Sequence, residues 1–318
     1  MKNSYEDVCA ALKRVQSVLI FAHKNPDGDA IGSSIAMGLA LKSIHKKVDY
    51  AVDYDTKKCY ALFNESQYFN VPLLNKYDVA LVLDCSTRDY VHHNELLSLC
   101  SEIILLDHHR TNEGFADVGV IEADSAATGE IVYNTIKQLG VPFTREMANA
   151  VYVSIVEDTG NFMHSNTSAR THQITSQLYQ YSDDLADLSY TLKCYDKTHL
   201  QLMNRAMQAV TFYKNERLGM IVLDEDNCEK ELLDADTNGL IDLIRYLQGC
   251  VFTVLIKQNS LNEYKVSMRS SVDSVDVSVL AQRMHGGGHK RAAGFTYTGK
   301  LEDVKQIIIH YADELWTD

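Results

Sequence analysis

Two segments dominate this sequence, His23-Lys24-Asn25-Pro26-Asp27-Gly28-Asp29 and Asp107-His108-His109. Each follows a short apolar run, over residues 17–21 and 102–106, with the length and branching of a buried parallel strand. A third apolar run, 79–83, leads directly into Asp84. Because ligands collect at the carboxyl ends of the strands in an open parallel sheet, these segments predict one shared site.

Apolar runs alternate with helix-like stretches through the first 180 residues. Strands are predicted near residues 17–22, 47–53, 78–83, 102–106 and 118–122, and helices near 30–43, 127–139, 144–156 and 170–181. This order predicts an α/β fold with a doubly wound, mainly parallel sheet. Strand-like runs at 218–223, 251–256 and 264–269 predict a second, smaller mixed α/β domain. We therefore expect a catalytic domain over 1–185, a helical linker over 186–210 and a second domain over 211–318.

The polar side chains at the predicted sheet edge are of the kinds that bind divalent metals. They combine imidazoles with several carboxylates: His23, Asp27, Asp29, Asp84, His108 and Asp158. Two-metal hydrolases hold their ions about 3.5–4 Å apart and share a carboxylate between them. Nitrogen and oxygen ligands without a thiolate favour Mn²⁺, with Co²⁺, Fe²⁺ and Mg²⁺ as alternatives. The sequence thus predicts two divalent ions, with Mn²⁺ preferred.

Each of these residues alone has a simpler interpretation. His23 could be a hydrogen-bonded histidine at a strand end, and Asp27 or Asp29 could cap the helix that follows. Gly32, in the first turn of that helix, could permit close approach to the ligands or could serve packing. Their joint occurrence after predicted strands is what favours a metal site.

Composition limits the function. A formal net charge of −13 argues against wrapping a long nucleic acid duplex, which needs a basic surface. The sequence has no run of eighteen apolar residues and no signal-peptide pattern at its start, so we expect a cytoplasmic protein without membrane contact. The seven cysteines are scattered and include no C-x-x-C pair, so the sequence predicts neither a disulfide framework nor a thiolate zinc site.

The chain resembles the DHH phosphoesterases in its motifs. The family pattern is an H-x-x-P-D-x-D segment, an Asp after a strand, the D-H-H triplet and a D-T-G segment. The matching residues are His23 to Asp29, Asp84, Asp107 to His109 and Asp158 to Gly160. The segment from Gly286 to Phe295 resembles the glycine-rich motif of the DHH-associated substrate domain. One departure is His285, where many relatives have a further glycine; it could contact phosphate or be a plain loop residue.

The resemblance implies a role for each matching residue. One metal would be held by His23, Asp27 and Asp84, and the other by Asp29, Asp84, His108 and Asp158, so that Asp84 bridges. Asp107 would orient an imidazole and His109 would face the scissile phosphate, which makes Asp84, Asp107 and His109 the catalytic group. The nucleotide end of the substrate would be held by Arg269, Ser270, Gly286, Gly287, Gly288, His289 and Arg291.

The resemblance is greatest to the nano-RNase and pAp phosphatase branch of the family. It implies hydrolysis of short oligonucleotides, dinucleotides such as pApA or pGpG, or 3′-phosphoadenosine-5′-phosphate (pAp), by attack of a hydroxide that bridges the two metals. The sequence does not decide whether the chain forms a homodimer. The alternatives are an inorganic pyrophosphatase of the family II type or an exopolyphosphatase, and, from another class, a catalytically silent nucleotide-binding sensor.

Overall fold

The computed structural model describes residues 4–53, 63–69, 74–235, 237 and 239–316, with only the backbone of His289. The chain divides into two compact units, Met1–Cys194 and Tyr195–Asp318. Pro72 and Cys59 lie outside the described residues. None of the helices in the described part is long and apolar enough to cross a membrane.

The first unit is built on a five-stranded parallel sheet. Its strands are β1 (Ser17–Phe21), β2 (Lys47–Ala51), β3 (Tyr77–Leu83), β4 (Cys100–Asp107) and β5 (Val118–Ile121). Their order is β2-β1-β3-β4-β5, and every neighbouring pair is parallel. The predicted α/β class with a parallel sheet is confirmed. Because β2 and β3 lie on opposite sides of β1, the chain order reverses there, and such a switch point opens a crevice at the carboxyl ends of the strands.

Helices of the first unit pack on one face of this sheet. They are α1 (Tyr5–Arg14), α2 (Gly28–Ser43), α3 (Thr128–Leu139), α4 (Arg145–Asp158), α5 (Ala169–Leu178) and α6 (Leu185–Leu192). The core beneath them contains Ile20, Leu81 and Ile104 from the strands. The opposite face carries Val82 and Leu105 and is covered partly by short 3₁₀ segments, among them Arg88–Tyr90 and Asn94–Leu99.

Glycine allows α2, α3 and α4 to approach closely. A Cβ atom on Gly32 would lie 2.3 Å from the carbonyl oxygen of Ala150, and one on Gly129 would lie 1.9 Å from Oγ of Ser154. Real Cβ contacts are never this short, so both positions require glycine. Gly32 therefore serves helix packing, the second of the two interpretations that its sequence context left open.

The second unit is a six-stranded mixed sheet with helices on both faces. In chain order its elements are α7 (Lys197–Gln208), β6 (Val210–Tyr213), β7 (Leu218–Leu223), α8 (Lys230–Leu233), α9 (Asp242–Arg245), β8 (Phe252–Ser260), β9 (Glu263–Ser270), α10 (Val277–Arg283), β10 (Gly287–His289), β11 (Ala292–Thr298) and α11 (Leu301–Leu315). The strand order is β10-β11-β9-β8-β7-β6, and within it only the pairing of β7 with β8 is parallel.

Two segments differ in detail from the sequence-based expectation. The helical linker predicted over 186–210 is interrupted: α6 ends at Leu192, α7 begins at Lys197, and the division between the units falls after Cys194. The glycine-rich segment, for which no strand was predicted, forms the β10–β11 hairpin. Each Gly of β10 faces a small residue, Ala293 or Gly294, so the two backbones can pair closely.

Candidate metal centre

Asp84 lies at the centre of the candidate site, directly after β3. Its backbone takes the left-handed conformation, with φ of 55°, and its N–H donates to the carbonyl oxygen of Leu106 on the neighbouring strand. A non-glycine residue rarely adopts this conformation, and such residues cluster at functional sites. The side chain is 3% exposed, and Oδ1 accepts a 3.0 Å hydrogen bond from the hydroxyl of Thr128. The turn thus holds a buried carboxylate at the switch point of the sheet.

His23 lies beside Asp84, two residues beyond the end of β1. Its Nδ1 is 2.8 Å from the carbonyl oxygen of Lys24, so we assign the ring proton to Nδ1. Nε2 then carries the lone pair, and it lies 3.8 Å from Oδ1 of Asp27 and 3.6 Å from Oδ2 of Asp84. A backbone acceptor on one ring nitrogen is the usual device that orients a metal-binding imidazole.

Asp27 lies beside Nε2 of His23 and also caps helix α2. It is the N-cap of α2, and Oδ1 accepts hydrogen bonds from the backbone N–H groups of Asp29 and Ala30 at 3.0 and 3.2 Å. Its side chain is 54% exposed, in contrast to that of Asp84. Capping and ligation are compatible because a carboxylate has several lone pairs.

Asp29 is buried in the first turn of α2 and accepts four hydrogen bonds. Backbone N–H groups of Thr128 and Gly129, at the start of α3, donate at 2.8 and 3.2 Å. The hydroxyls of Ser33 and Ser154 donate at 3.1 and 2.6 Å. The positive end of α3 and two hydroxyls therefore fix a carboxylate that faces the cluster.

His108 connects the two sides of the cluster. Its Nδ1 is 3.2 Å from the carbonyl oxygen of Ser125, so this ring also has a backbone acceptor. Its Nε2 lies 3.6 Å from Oδ2 of Asp29, 3.6 Å from Oδ1 of Asp84 and 3.7 Å from Oδ2 of Asp158. Asp158, the last residue of α4, completes the set, and Asn166 donates to its Oδ2 at 3.4 Å.

These separations are those of atoms that share a cation. Distances of 3.6 to 3.8 Å between nitrogen and oxygen exceed the normal range of a hydrogen bond. Two donors that bind one ion at about 2.1 Å, in tetrahedral or octahedral geometry, stand about 3–4 Å apart. Three groups of potential ligand atoms lie within 4.8 Å of one another: His23 with Asp27 and Asp84, Asp29 with His108 and Asp158, and Asp84 with His108 and His109. The cluster can therefore hold metal.

Charge supports the same conclusion. Burial raises the pKa of Asp158 to about 7, and the charges of Asp27 and Asp84 act in the same direction against the effect of His108. Burial also raises the pKa of Asp29 well above its usual range, as does the charge of Asp84. Carboxylates buried this close together repel one another, and a divalent cation among them would offset both costs.

The pKa values of two imidazoles are also raised, which for histidine favours the charged form. Burial opposes the charged form of His23, but the nearby carboxylates of Asp27 and Asp84 outweigh it and raise the pKa to about 12. Burial likewise opposes the charged form of His108, and the charges of Asp158 and Asp29 raise its pKa to about 10. Protons or cations are thus strongly attracted to this cluster, and a bound metal would displace the protons.

Asp107 and His109 form a separate pair beside the cluster. Asp107, the last residue of β4, is fully buried, and its Oδ1 accepts a 2.7 Å hydrogen bond from Nδ1 of His109. The amide of Asn112 donates to the other oxygen, Oδ2, and also to the carbonyl oxygen of Cys85 at 3.1 Å. Both oxygens of Asp107 are therefore engaged within the protein, and its carboxylate orients His109.

Several residues of the site were missed in the sequence. Thr128, Ser154 and Asn112 each donate to one of the aspartates, although they lie at ordinary positions in helices or loops. Only the tertiary structure brings them to the cluster. Cys85, adjacent to Asp84 in sequence, is a buried thiol whose Sγ donates to the carbonyl oxygen of Thr87, and burial raises its pKa to about 12.

In the second unit, the candidate substrate-binding residues lie around the ends of β9, β10 and β11. Ser270 is buried, and its hydroxyl donates to the carbonyl oxygen of Val272. Arg291 donates from Nε and Nη2 to Oδ1 of Asp273, at 3.3 and 3.0 Å. Arg269 lies opposite Ala292 in register, and Ala292 lies opposite His289. Arg269 and His289 thus occupy the same cross-strand row of the sheet.

The Arg269 guanidinium has one acidic and one basic neighbour, Asp242 and Arg245. It is partly buried, and Nη1 donates to the carbonyl oxygen of Met268 at 3.1 Å. Burial lowers its pKa, and the charge of Arg245 acts in the same direction, while Asp242 opposes them. A bound anion would relieve the burial of this charge.

The glycines of the hairpin are not equivalent. A Cβ atom on Gly286 would lie 2.2 Å from the carbonyl oxygen of Gly294, and one on Gly288, where φ is +133°, would lie 2.5 Å from that of Ala292. A Cβ atom on Gly287 would meet nothing within 4 Å. His285 precedes them with φ of 59°, a conformation that glycine adopts freely and histidine less readily.

The different surroundings of Gly287 and Gly288 predict different effects of alanine substitution on stability. We expect Gly288→Ala to destabilise the chain by about 1–3 kcal/mol, because backbone must move away from the new methyl group. Gly287→Ala should leave the midpoint of urea unfolding within error of the wild type. Equal unfolding midpoints for the two variants would show that the hairpin does not require glycine at position 288.

Comparison with known proteins agrees with this geometry. The model of the DHH family N-terminal domain matches residues 17–155, and that of the DHHA1 domain matches residues 228–315. The bifunctional oligoribonuclease and PAP phosphatase NrnA of Thermus thermophilus is 32% identical over 294 residues, which cover 92% of this chain and 88% of the relative. The chain therefore belongs to the DHH family, and the resemblance found in its motifs is confirmed.

Solved structures share the fold. An exopolyphosphatase-related protein from Bacteroides fragilis matches with a TM-score of 0.87 and 21% identity, covering 98% of this chain and 95% of the other. RecJ from Thermus thermophilus, in complex with Mn²⁺, matches with a TM-score of 0.55 and 12% identity, covering 98% of this chain and 54% of RecJ. At these identities the likeness concerns the fold alone.

Proposed function

We propose that this chain is a metal-dependent phosphoesterase that hydrolyses short oligonucleotides, including dinucleotides such as pApA, and pAp. The observation that carries the proposal is the cluster of imidazoles and carboxylates at co-ligand distances on the switch point of the parallel sheet. The name of the relative from Thermus thermophilus, an oligoribonuclease and PAP phosphatase, supports this substrate class.

In this proposal the cluster binds two divalent ions. His23, Asp27 and Asp84 would hold one, and Asp29, Asp84, His108 and Asp158 the other. Asp84 is suited to be shared, since Oδ2 faces His23 and Oδ1 faces His108. RecJ was solved with Mn²⁺, which supports Mn²⁺ as the first ion to test. Two such ions would supply charge neutralisation at the phosphate and activation of a water molecule for attack on phosphorus.

The protein's own part in the reaction centres on His109. Because Asp107 accepts from Nδ1, the ring is fixed and Nε2 is its other proton-carrying atom. Burial opposes the charged form of His109, but its hydrogen bond to Asp107 and the charge of Asp84 raise its pKa. A protonated His109 can neutralise a phosphate oxygen and donate a proton to the leaving oxygen.

Arg269 would bind the nucleotide end of the substrate through its guanidinium, which matches the geometry of a phosphate. We expect Arg269→Ala to raise the KM for pApA about tenfold or more, and to change the hydrolysis of a small artificial phosphodiester little. The matched control is Arg283→Ala, which removes an exposed ion pair with Glu314 and a cation–π contact with the Tyr311 ring. Equal losses of kcat/KM on both substrates would contradict a contact with the nucleotide end.

The test of the proposed function is product release from pAp, pApA, a five-residue RNA and pyrophosphate, with Mn²⁺ and with a chelator. Turnover of the nucleotides that disappears with the chelator is the expected result. Turnover of pyrophosphate alone would replace this proposal by a pyrophosphatase. Tight binding of pApA without turnover, with Mn²⁺ present, would indicate a sensor.

A further inference from the structure

An exposed aromatic ring lies directly against the candidate metal centre. Tyr90 stacks on His23, with ring centroids 5.4 Å apart and an angle of 5° between the ring planes. Parallel rings at this separation are offset, so that they overlap only in part. Tyr90 is 46% exposed, although the histidine that it contacts is buried. The remaining ring surface is open to a ligand.

The backbone holds this ring in place. The carbonyl oxygen of Tyr90 accepts a 3.0 Å hydrogen bond from the N–H of Lys24, and the N–H of His92 donates to the carbonyl oxygen of Ala22 at 2.9 Å. Between them, Val91 forms a bridge with His23 and is fully buried. These two hydrogen bonds and the bridge therefore hold the backbone of Tyr90 against the residues that follow β1, including His23. A pre-organised ring binds a ligand with a smaller loss of conformational entropy.

Two exposed cationic residues adjoin Tyr90 through the backbone. Lys24 and Arg88 are exposed, and in the described part of the chain neither forms an ion pair. Lys24 is joined to Tyr90 by the backbone hydrogen bond, and Arg88 begins the same short 3₁₀ segment. We name Lys24, Arg88 and Tyr90 the Tyr90 strip. An exposed aromatic ring with adjacent cations is the chemistry that binds single-stranded nucleic acid, through base stacking and contacts to the sugar-phosphate backbone.

We propose that the Tyr90 strip is a nucleoside subsite beside the metal centre, in which the base next to the scissile phosphate stacks on Tyr90 while Lys24 and Arg88 contact its sugar-phosphate backbone. This inference rests on the proposed function, since it assumes that a phosphoester binds at the cluster. Stacking tolerates any base because every base has a π-face, so the subsite selects nucleotides over other phosphoesters without selecting a sequence.

The test compares pApA with an analogue that lacks both bases, using wild-type chain and Tyr90→Ala. Loss of stacking should raise the KM for pApA about tenfold while kcat changes little, because the contact is made equally in the ground state and the transition state. The KM for the analogue without bases should stay within about twofold of the wild-type value. Tyr90→Phe keeps the ring and should restore the preference for pApA.

A purely structural role would give a different result. If Tyr90 serves only to support His23, Tyr90→Ala should weaken Mn²⁺ binding, measured by calorimetry without substrate, and should reduce activity equally on both substrates. That outcome would overturn the subsite. Tyr190→Ala, which removes a 74% exposed ring from α6 in the same unit, is the matched control and should change neither KM.

The inference can fail separately from the proposed function. If the wild-type chain hydrolyses pApA but Tyr90→Ala keeps the full preference for pApA over the analogue without bases, only the subsite is overturned. If the wild-type chain with Mn²⁺ neither binds nor hydrolyses pApA, the proposed function itself fails, and the subsite with it.

Discussion

Replacing Asp84 by alanine is expected to reduce kcat/KM on pApA by about 10³-fold or more, well beyond the 10–100-fold typical of residues that only orient a ligand. Among the described residues, Asp84 is the carboxylate that lies between two imidazoles of the cluster, with His23 at 3.6 Å from Oδ2 and His108 at 3.6 Å from Oδ1. No described neighbour is placed to take over both contacts. We therefore expect both metal positions to be impaired together.

Two measurements would check this expectation: turnover of pApA at saturating Mn²⁺, and Mn²⁺ affinity by calorimetry. Asp124→Asn is the matched control, because this carboxylate is 96% exposed and pairs only with Arg110 among the described residues. It should keep wild-type turnover and affinity. Retention of a tenth of the wild-type kcat by Asp84→Ala would rule out a shared ligand at this position.

The second large effect is expected for Asp107→Asn, a loss of about 10²–10⁴ in kcat. An amide at position 107 cannot accept from both Nδ1 of His109 and the amide of Asn112, so one of the two buried hydrogen bonds is lost. The His109 ring is then free to take the other tautomer or to turn away from the phosphate.

Metal binding separates this role from that of a ligand. Asp107 belongs to none of the ligand groups formed by the described residues, and both of its oxygens are hydrogen-bonded within the protein. Asp107→Asn should therefore keep Mn²⁺ affinity within about tenfold of the wild type, the lower end of the effect of an outer-shell residue. A fall in affinity as large as that of Asp84→Ala would show that Asp107 binds metal directly.

The parallel sheet could be predicted from the sequence because its strands are buried on both faces. The runs at 79–83 and 103–106 are continuous apolar segments, which are typical of a covered parallel sheet, and they occur in β3 and β4. The polar residues that follow these strands were predictable for the same reason. Strand ends of one sheet edge meet in space, so Asp84 and His108 had to lie near each other.

Other parts of the fold and of the candidate site depend on tertiary contacts that produce no local sequence pattern. The hairpin of β10 and β11 was not predicted, because glycine usually indicates a turn, whereas Gly286 and Gly288 are required here by the backbone packed against them. Helices α1 and α11 were not predicted. Thr128 and Ser154 donate to Asp84 and Asp29 across 44 and 125 residues of sequence, and a hydroxyl in a helix does not indicate such a role.

The most direct test of the central claim is a titration of the metal-free chain with Mn²⁺ in which bound ions and pApA turnover are measured together. The account predicts no turnover without metal and full turnover when two ions are bound per chain. Full turnover without any divalent ion, or two bound ions without turnover of pApA, pAp or a five-residue RNA, would contradict it.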